Sequence, residues 1–297
     1  MARTARKVLL GREIDAILRR ARTTQAEAGK MIGVSQSRIA AVIAGTGNLS
    51  AQALDELVRE LGVTDGGYIG ILLDLREDSH RRGFWNTGYR RAYIEELRLL
   101  VDLEDVADRL RETGSEIVPG LLQHENYIRA LHEPLQPDPE DPDAVTVDDY
   151  VQARVARQRI LLKRGAPEFH TILSESCLRR AYGGDAVMLD QIAHLLELSK
   201  RPNIQIQVMP FTHQAPGAGM EDRYILVRVP SPGAAGDLEM AVIEAQGEIR
   251  YIDDKPAVAI RDKIFSRLTM TALSPHDSRQ FMEHLVRGLR SRPTIQR

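Results

Sequence analysis

Residues 24–50, TQAEAGKMIGVSQSRIAAVIAGTGNLS, divide into helical stretches by their own punctuation. Thr24 stands ahead of "QAEAGKMI", which stops at Gly33; Ser35 stands ahead of "QSRIAAVIA", which stops at Gly45; Ser50 opens the next stretch. Ser and Thr side chains accept from the free amides of a helix's first turn, and Gly adopts the left-handed conformation that ends one. Helices are therefore expected over 25–32 and 36–44, joined by a tight turn at Gly33-Val34. Between their apolar patterns lies the polar run Ser35-Gln36-Ser37-Arg38. It either caps a buried helix or is presented outward to touch something.

The flanks extend the pattern. Leu10, Ile14, Ile17, Leu18 and Ala21 share one face of a helix that should end near Thr23. "AQALDELVRELG", residues 51–62, places Leu54, Leu57, Val58 and Leu61 on one face, and "GYIGILLDL", residues 67–75, is short and apolar. Five short helices with a three- to four-residue Gly turn between the second and third describe an all-α helix-turn-helix domain over residues 1–78. The stretch from Thr24 to Ser50 resembles the phage-repressor-type (XRE) helix-turn-helix family: Gln25 opens helix two, Gly29 allows close packing, Gly33-Val34 make the turn, and Ile39 and Val42 face the core.

That resemblance implies a partner, double-stranded DNA, and assigns roles. The N-terminal residues of a recognition helix lie nearest the base edges, where Gln can bond adenine and Arg can bond guanine bidentately. Gln36, Ser37 and Arg38 are the implied base readers, with Ala41 against a thymine methyl. Thr24, Gln25, Ser35 and Asn48, beside helix-opening amides, are the implied phosphate contacts. Ala40, Ala41, Ile43 and Ala44 are small or apolar, so base reading rests on few side chains.

Charge distribution agrees with this reading. The chain has 297 residues and a formal charge of −2. Residues 1–50 hold nine bases and three acids, net +6, which leaves −8 for the rest. A basic head on an acidic body suits an N-terminal module that meets a polyanion. Cys177 is the only cysteine, which excludes an intrachain disulfide and a cysteine-based zinc cluster. The start, MARTARKVLLGREIDAIL, lacks the uninterrupted apolar core of a signal peptide, and no run reaches the roughly 18 apolar residues of a membrane span. A cytoplasmic protein without membrane association is expected.

Beyond residue 78 the chain changes character. "REDSHRRGFWNTGYRR" carries Phe84, Trp85 and Tyr89 among bases, and reads as a hinge whose aromatics pack on a second domain, contact with DNA being the alternative. A helical linker is expected over 79–113, including a helix at "LEDVADRLRE". "SEIVPGLLQHENYIRAL" reads as a short strand, a Pro-Gly turn and a helix, and "EPLQPDPEDPD" as a loop. Strands are expected at "EFHTILSE", "NIQIQVMPF", "YILVRVP", "MAVIEA" and "EIRYIDD", and helices at "VDDYVQARVARQRILLKR", "MLDQIAHLLELSK" and two C-terminal stretches, the second opening at Ser274-Pro275. This mixture predicts a C-terminal α+β domain over 114–297 with a mainly antiparallel sheet.

The blocks VPGLLQHENYIRAL, QARVARQRILL, ILSESCLRRAYGG, LLELSKRPNIQIQVMPF and ALSPHDSRQFM occur in the order found in WhiJ-like actinobacterial regulators, which this sequence resembles over nearly its whole length. His124 departs from that family, where Thr usually follows the "PGLLQ" block, as does "THQAPGAGMED". The resemblance implies a transcription factor, expected to be a homodimer, whose C-terminal domain senses a small-molecule effector or a small neighbouring-gene protein. An antitoxin-like adaptor that mainly binds such a protein is the competing reading. A ligand or partner site between "PGLLQHENY" and "PFTHQAPG", with Gln123, Asn126, Tyr127, Phe211 and His213 as candidates, is one reading; the other, which the residues favour, is that Pro-Gly is only a turn and Tyr127 is core.

No enzyme, cofactor or metal site is expected. The eight histidines form no His-Glu-x-x-His spacing, and there is no Gly-x-Ser-x-Gly elbow or phosphate-binding Gly loop. Cys177, in "SESC" at a strand-to-helix junction, reads as a small buried residue, and His170 as packed or exposed rather than catalytic.

Overall fold

A computed structural model describes residues 3–78, 92–133, 144–220, 223–245 and 248–291. Phe84, Trp85 and Tyr89, and residues 134–143 of the proline-rich loop, lie outside the described residues. The chain forms two compact units, Met1–Ala107 with Arg228–Leu238, and Asp108–Val227 with Glu239–Arg297.

The first unit holds α1 (Ala5–Ala21), α2 (Gln25–Met31), α3 (Gln36–Ile43), α4 (Ala51–Glu60), α5 (Gly66–Asp78) and α6 (Glu95–Val106). Thr4, Thr24, Ser35 and Ser50 cap α1 to α4, each accepting from an amide three residues on. Arg22, at φ 54°, takes the left-handed conformation that stops α1. The apolar stripes converge as their spacing demands: Ile14, Ile39, Leu54, Leu57 and Leu72 are fully buried. Burying five such side chains removes the bulk of their apolar area from water, at about 25 cal/mol per Å².

Glycine permits the tightest contacts. A Cβ on Gly11 of α1 would stand 2.4 Å from the carbonyl oxygen of Ile43, so the helices touch backbone to backbone at the end of α3. Gly45, at φ +71°, lies beside Val8 of α1.

The second unit is α+β, as expected, but its sheet is mixed. The strands β1 (Arg109–Gly114), β2 (Glu168–Ser174), β3 (Ile204–Met209), β4 (Tyr224–Val229), β5 (Leu238–Ala245) and β6 (Glu248–Ile252) form one six-stranded sheet of order β3-β2-β1-β4-β5-β6. β1 and β2 pair in parallel from Arg109↔Glu168 to Gly114↔Leu173, and β2 and β3 in parallel from Phe169↔Ile204 to Ser174↔Met209. β5 and β6 are antiparallel. The predicted mainly antiparallel sheet is thus corrected. Helices α7 (Glu125–His132) and α8 (Val147–Gln158) lie between β1 and β2, and α9 (Glu175–Arg179) and α10 (Asp185–Leu198) between β2 and β3. Such crossovers are what parallel neighbours require.

Two further expectations change. "LEDVADRLRE" is not one helix: α6 stops at Val106 and β1 begins at Arg109. No strand forms at 115–118; a buried 3-10 turn, Gly120–Leu122, follows Pro119 instead. Glu112 and Thr113 give β1 its polar appearance, yet both are buried and satisfied. Arg223 pairs with Glu112 at 3.3 Å, and the Thr113 hydroxyl accepts from Tyr224 N at 3.1 Å. The remaining helices, α11 (Lys255–Thr271) and α12 (Pro275–Arg290), both begin with Pro in the first turn. Val258, Phe265 and Leu268 of α11 cover Ile172, Met209, Tyr224 and Ala241 of the sheet.

Candidate nucleic-acid interface

The turn between α2 and α3 is built by three residues. Val34 N donates to Gly29 O at 2.8 Å, Gly33 sits at φ +66°, and a Cβ on Gly29 would lie 2.6 Å from Val34 O. Ala28, Ile39 and Val42 are buried beneath it. Their anchoring leaves the opposite side of α3's first turn exposed.

Ser35, Gln36, Ser37 and Arg38 are all exposed there. The Ser35 hydroxyl accepts from Arg38 N at 3.2 Å and lies 2.9 Å from the Ser37 hydroxyl. Both serines are therefore partly engaged in fixing the turn. The Gln36 amide and the Arg38 guanidinium have no hydrogen-bond or ion-pair partner among the described residues. A flat amide and a planar cation, exposed two residues apart at a helix N-terminus, can each make a bidentate contact to a base edge.

Ala41 is half-buried, with its methyl beside Gly47, so it offers less surface than expected of a thymine contact. Gln25 is half-exposed at the start of α2, and its amide is uncommitted among the described residues. Thr24 is occupied. Its hydroxyl accepts from Glu27 N at 3.2 Å and donates to the Glu27 carboxylate at 2.7 Å, while Thr24 N donates to the same carboxylate at 2.8 Å. These donors hold the Glu27 carboxyl below its ordinary pKa, the backbone bond from Thr24 contributing most. Thr-Gln-Ala-Glu is the sequence signature of this reciprocal cap, and it was readable. Glu27 is the acidic half of this cap and is not among the residues expected at the interface. It places a negative charge beside the implied phosphate contact.

Asn48 is more enclosed than Thr24 or Gln25. It is 8% exposed, and its side-chain oxygen accepts from Leu49 N at 3.0 Å. That bond turns the side-chain oxygen back on its own loop at the entry to α4. Arg76 of α5 supports the same loop, its Nε donating to Leu49 O at 2.9 Å.

Nor are the bases of residues 1–50 a uniform patch. Lys7 is buried, and burial lowers its pKa. Arg19 pairs with Asp15 at 2.5 Å.

In the second unit the five ligand-site candidates separate. Gln123 is buried, its amide nitrogen donating to Val118 O at 2.7 Å and its oxygen accepting from Arg154 at 2.6 Å. Tyr127 is fully buried, its ring edge-on to Tyr182 at 5.7 Å, and burial raises its pKa. Asn126 is exposed and bonds Asp190 at 2.7 Å. His213 is exposed and bonds Thr271 O at 2.9 Å. Phe211 is 63% exposed. Gln123 and Tyr127 are core, and Asn126, Phe211 and His213 are exposed. Two cavities of this unit are lined by other residues. One of about 550 Å³ involves Ala215, Ala218, Ile260 and Ile264, and one of about 360 Å³ involves Arg109, Arg111, His170 and Gln205.

His124 caps α7 through Nδ1, which accepts from Asn126 N at 3.3 Å, the task a Thr would perform. Cys177 is buried in α9 with its thiol on Gly114 O at 3.1 Å, and burial pushes its pKa up to about 12. Among the described residues there is no group of three or more His, Cys, Asp or Glu placed to hold a metal, and no helix long and apolar enough to cross a membrane.

Comparison with known families finds two matches, one in each part of the chain. Residues 15–66 match a helix-turn-helix family, which points to a DNA-binding regulator. Residues 97–284 match the family described as a domain of unknown function, DUF5753. Neither the curated proteins nor the solved structures contain a match. Since that second match spans more than half of the sequence, the chain belongs to the DUF5753 family, with a helix-turn-helix segment preceding the family domain.

Proposed function

We propose that this protein is a sequence-specific transcriptional regulator of the WhiJ-like kind, acting as a cytoplasmic homodimer on a DNA operator. The carrying observation is the pair Gln36 and Arg38, exposed and uncommitted on the first turn of α3 behind the Ser35 cap. Gln36 and Arg38 read bases, Ser37 assists, and Gln25 with the opening amides of α2 and α4 holds phosphates. The C-terminal domain receives the signal, a small molecule or a small partner protein, and carries out no reaction.

Selection of bound duplexes from a random DNA pool tests the reading. The wild-type chain is expected to enrich a site of two half-sites about one helical turn apart. Affinity should fall steeply with salt as phosphate contacts release counterions. Failure to enrich any sequence overturns the reading.

A further inference from the structure

The first unit contains a segment far away in sequence. Ser231–Asp237, the loop between β4 and β5, is bound to α1 and α5 by a dense set of polar contacts centred on Glu13. Glu13 is 1% exposed. Its carboxylate accepts from the Ser231 hydroxyl, from the Tyr68 hydroxyl and from Ala235 N, the last at 3.2 Å. The neighbouring Arg12 donates through one nitrogen to the carbonyls of Ala235, Gly236 and Asp237 at 3.4, 3.2 and 3.1 Å. Asp237 closes the loop on itself by accepting from Ser231 N at 3.2 Å.

Tyr68 of α5 completes the seat. Its hydroxyl accepts from Ala234 N at 3.3 Å while donating to Glu13. Gly233 lies so close to the ring that a Cβ there would stand 2.1 Å from the ring carbon Cε2. Only a residue without a side chain fits. A buried carboxylate must be paired or hydrogen-bonded, and two of Glu13's three donors come from this loop. Lifting the loop therefore strands the carboxylate, so the loop and α1 hold one another.

The residue before this pair is Gly11, whose backbone lies against the carbonyls of Val42 and Ile43 at the end of α3. One turn of α1 thus carries the recognition helix at Gly11 and the β4–β5 loop at Arg12 and Glu13. We propose that Glu13, with Arg12 and Tyr68, is a latch that positions the recognition helix through α1, and that the Ser231–Asp237 loop is the input by which the family domain controls operator binding. The inference rests on the DNA-binding reading above and adds to it the regulatory connection. β4 and β5 run directly into the loop, so any change in those strands reaches it through the covalent chain.

The test uses the full-length protein and a duplex selected by the wild-type chain. Three variants loosen the latch by different routes. Glu13→Gln replaces one acceptor oxygen with a donor facing donors. Ser231→Ala deletes a donor from the loop. Gly233→Ala pushes the loop off Tyr68 while leaving every hydrogen-bonding group in place. Amide hydrogen exchange at Ala234 and Ala235 is expected to speed up in each, with cooperative unfolding retained. Operator affinity is expected to weaken roughly two- to thirtyfold, as for mutations along a coupled path. Unchanged exchange in all three variants overturns the latch. Faster exchange with wild-type affinity and wild-type sequence selection overturns the coupling to α3. A wild-type chain that selects no duplex removes the regulator reading itself, and that control separates the two failures.

Discussion

Gly29 and Val34 close the helix-turn-helix between them: the Val34 amide donates to the Gly29 carbonyl at 2.8 Å, and Val34's own carbonyl stands where a side chain on residue 29 would have to go. Gly29→Ala puts a methyl 2.6 Å from that oxygen, which is backbone and cannot rotate away. Overpacking of this kind costs about 1–3 kcal/mol. The expected result is a lower urea midpoint with an unchanged denaturant slope, and an unchanged midpoint would show that the turn can relax.

Gln36→Ala and Arg38→Ala are expected to act on sequence preference. Each should relax discrimination at a defined base pair by about 1–3 kcal/mol, with binding to non-specific duplex little altered. Gln25→Ala should weaken binding alike across sequences, because a phosphate contact carries no base information. Competition assays with single-base-pair operator variants distinguish the two patterns. A double variant at 36 and 38 that still prefers the same site would remove the recognition-helix assignment.

The reciprocal cap at Thr24 and Glu27 can be tested apart from DNA. Thr24→Ala should cost about 1 kcal/mol of stability, the usual worth of an N-cap. Glu27→Gln loses the charge but keeps an acceptor oxygen for Thr24 N, so it should retain more of the cap than Glu27→Ala. Glu27 also sets a sign: its depressed pKa means its stabilisation is present above the ordinary carboxylate value and is lost as pH falls below that value through the lower folded one. Chemical denaturation of the three variants gives the order.

His132 of α7 supplies a second pH effect, in the family domain. It stacks on Tyr150 with ring centroids 4.2 Å apart and planes 4° from parallel, and neither ring nitrogen has a partner among the described residues. Burial, aided by the charge of Arg154, lowers its pKa from 6.5 to about 4. The unfolded chain therefore binds a proton that the folded chain refuses. Stability held above pH 6.5 should decline as pH falls from 6.5 toward about 4, and His132→Phe should flatten that part of the profile while keeping the stack. An identical slope in the variant would rule His132 out as its source.

Cys177 should be inert in the native protein. Its thiol is buried, bonded to Gly114 O and pushed up to about 12, so almost no thiolate forms at neutral pH. Reaction with an aromatic disulfide reagent should follow unfolding of the second unit, and rapid labelling of the folded protein would contradict this environment.

The helix-turn-helix was legible because its signals are local. Thr24, Gly33, Ser35, Gly45 and Ser50 act on neighbours within a few residues, and α2, α3 and α4 begin where those caps place them. The family domain hid its topology for the opposite reason. β1 reads as polar and helical because the groups that satisfy Glu112 and Thr113, Arg223 and Tyr224, lie more than a hundred residues away. The parallel pairing of β1, β2 and β3 is likewise a long-range choice, although helices standing between those strands were a signal for it. At the site, exposure of Gln36 and Arg38 followed from Ile39 and Val42 taking the core face. The inward turn of Asn48 did not, since a side chain's choice between its own backbone and solvent leaves no trace in spacing.

The discontinuity of the first unit has a consequence for the newborn chain. Its helices through α6 emerge early from the ribosome, but the strip that belongs with them, Arg228–Leu238, is made only after β1, β2 and β3. The helix-turn-helix unit is therefore completed late, when most of the family domain already exists. A nascent or truncated chain ending before Ser231 leaves Glu13 and Tyr68 without their loop partners. The helix-turn-helix unit is thus complete only in a chain that has grown past residue 238.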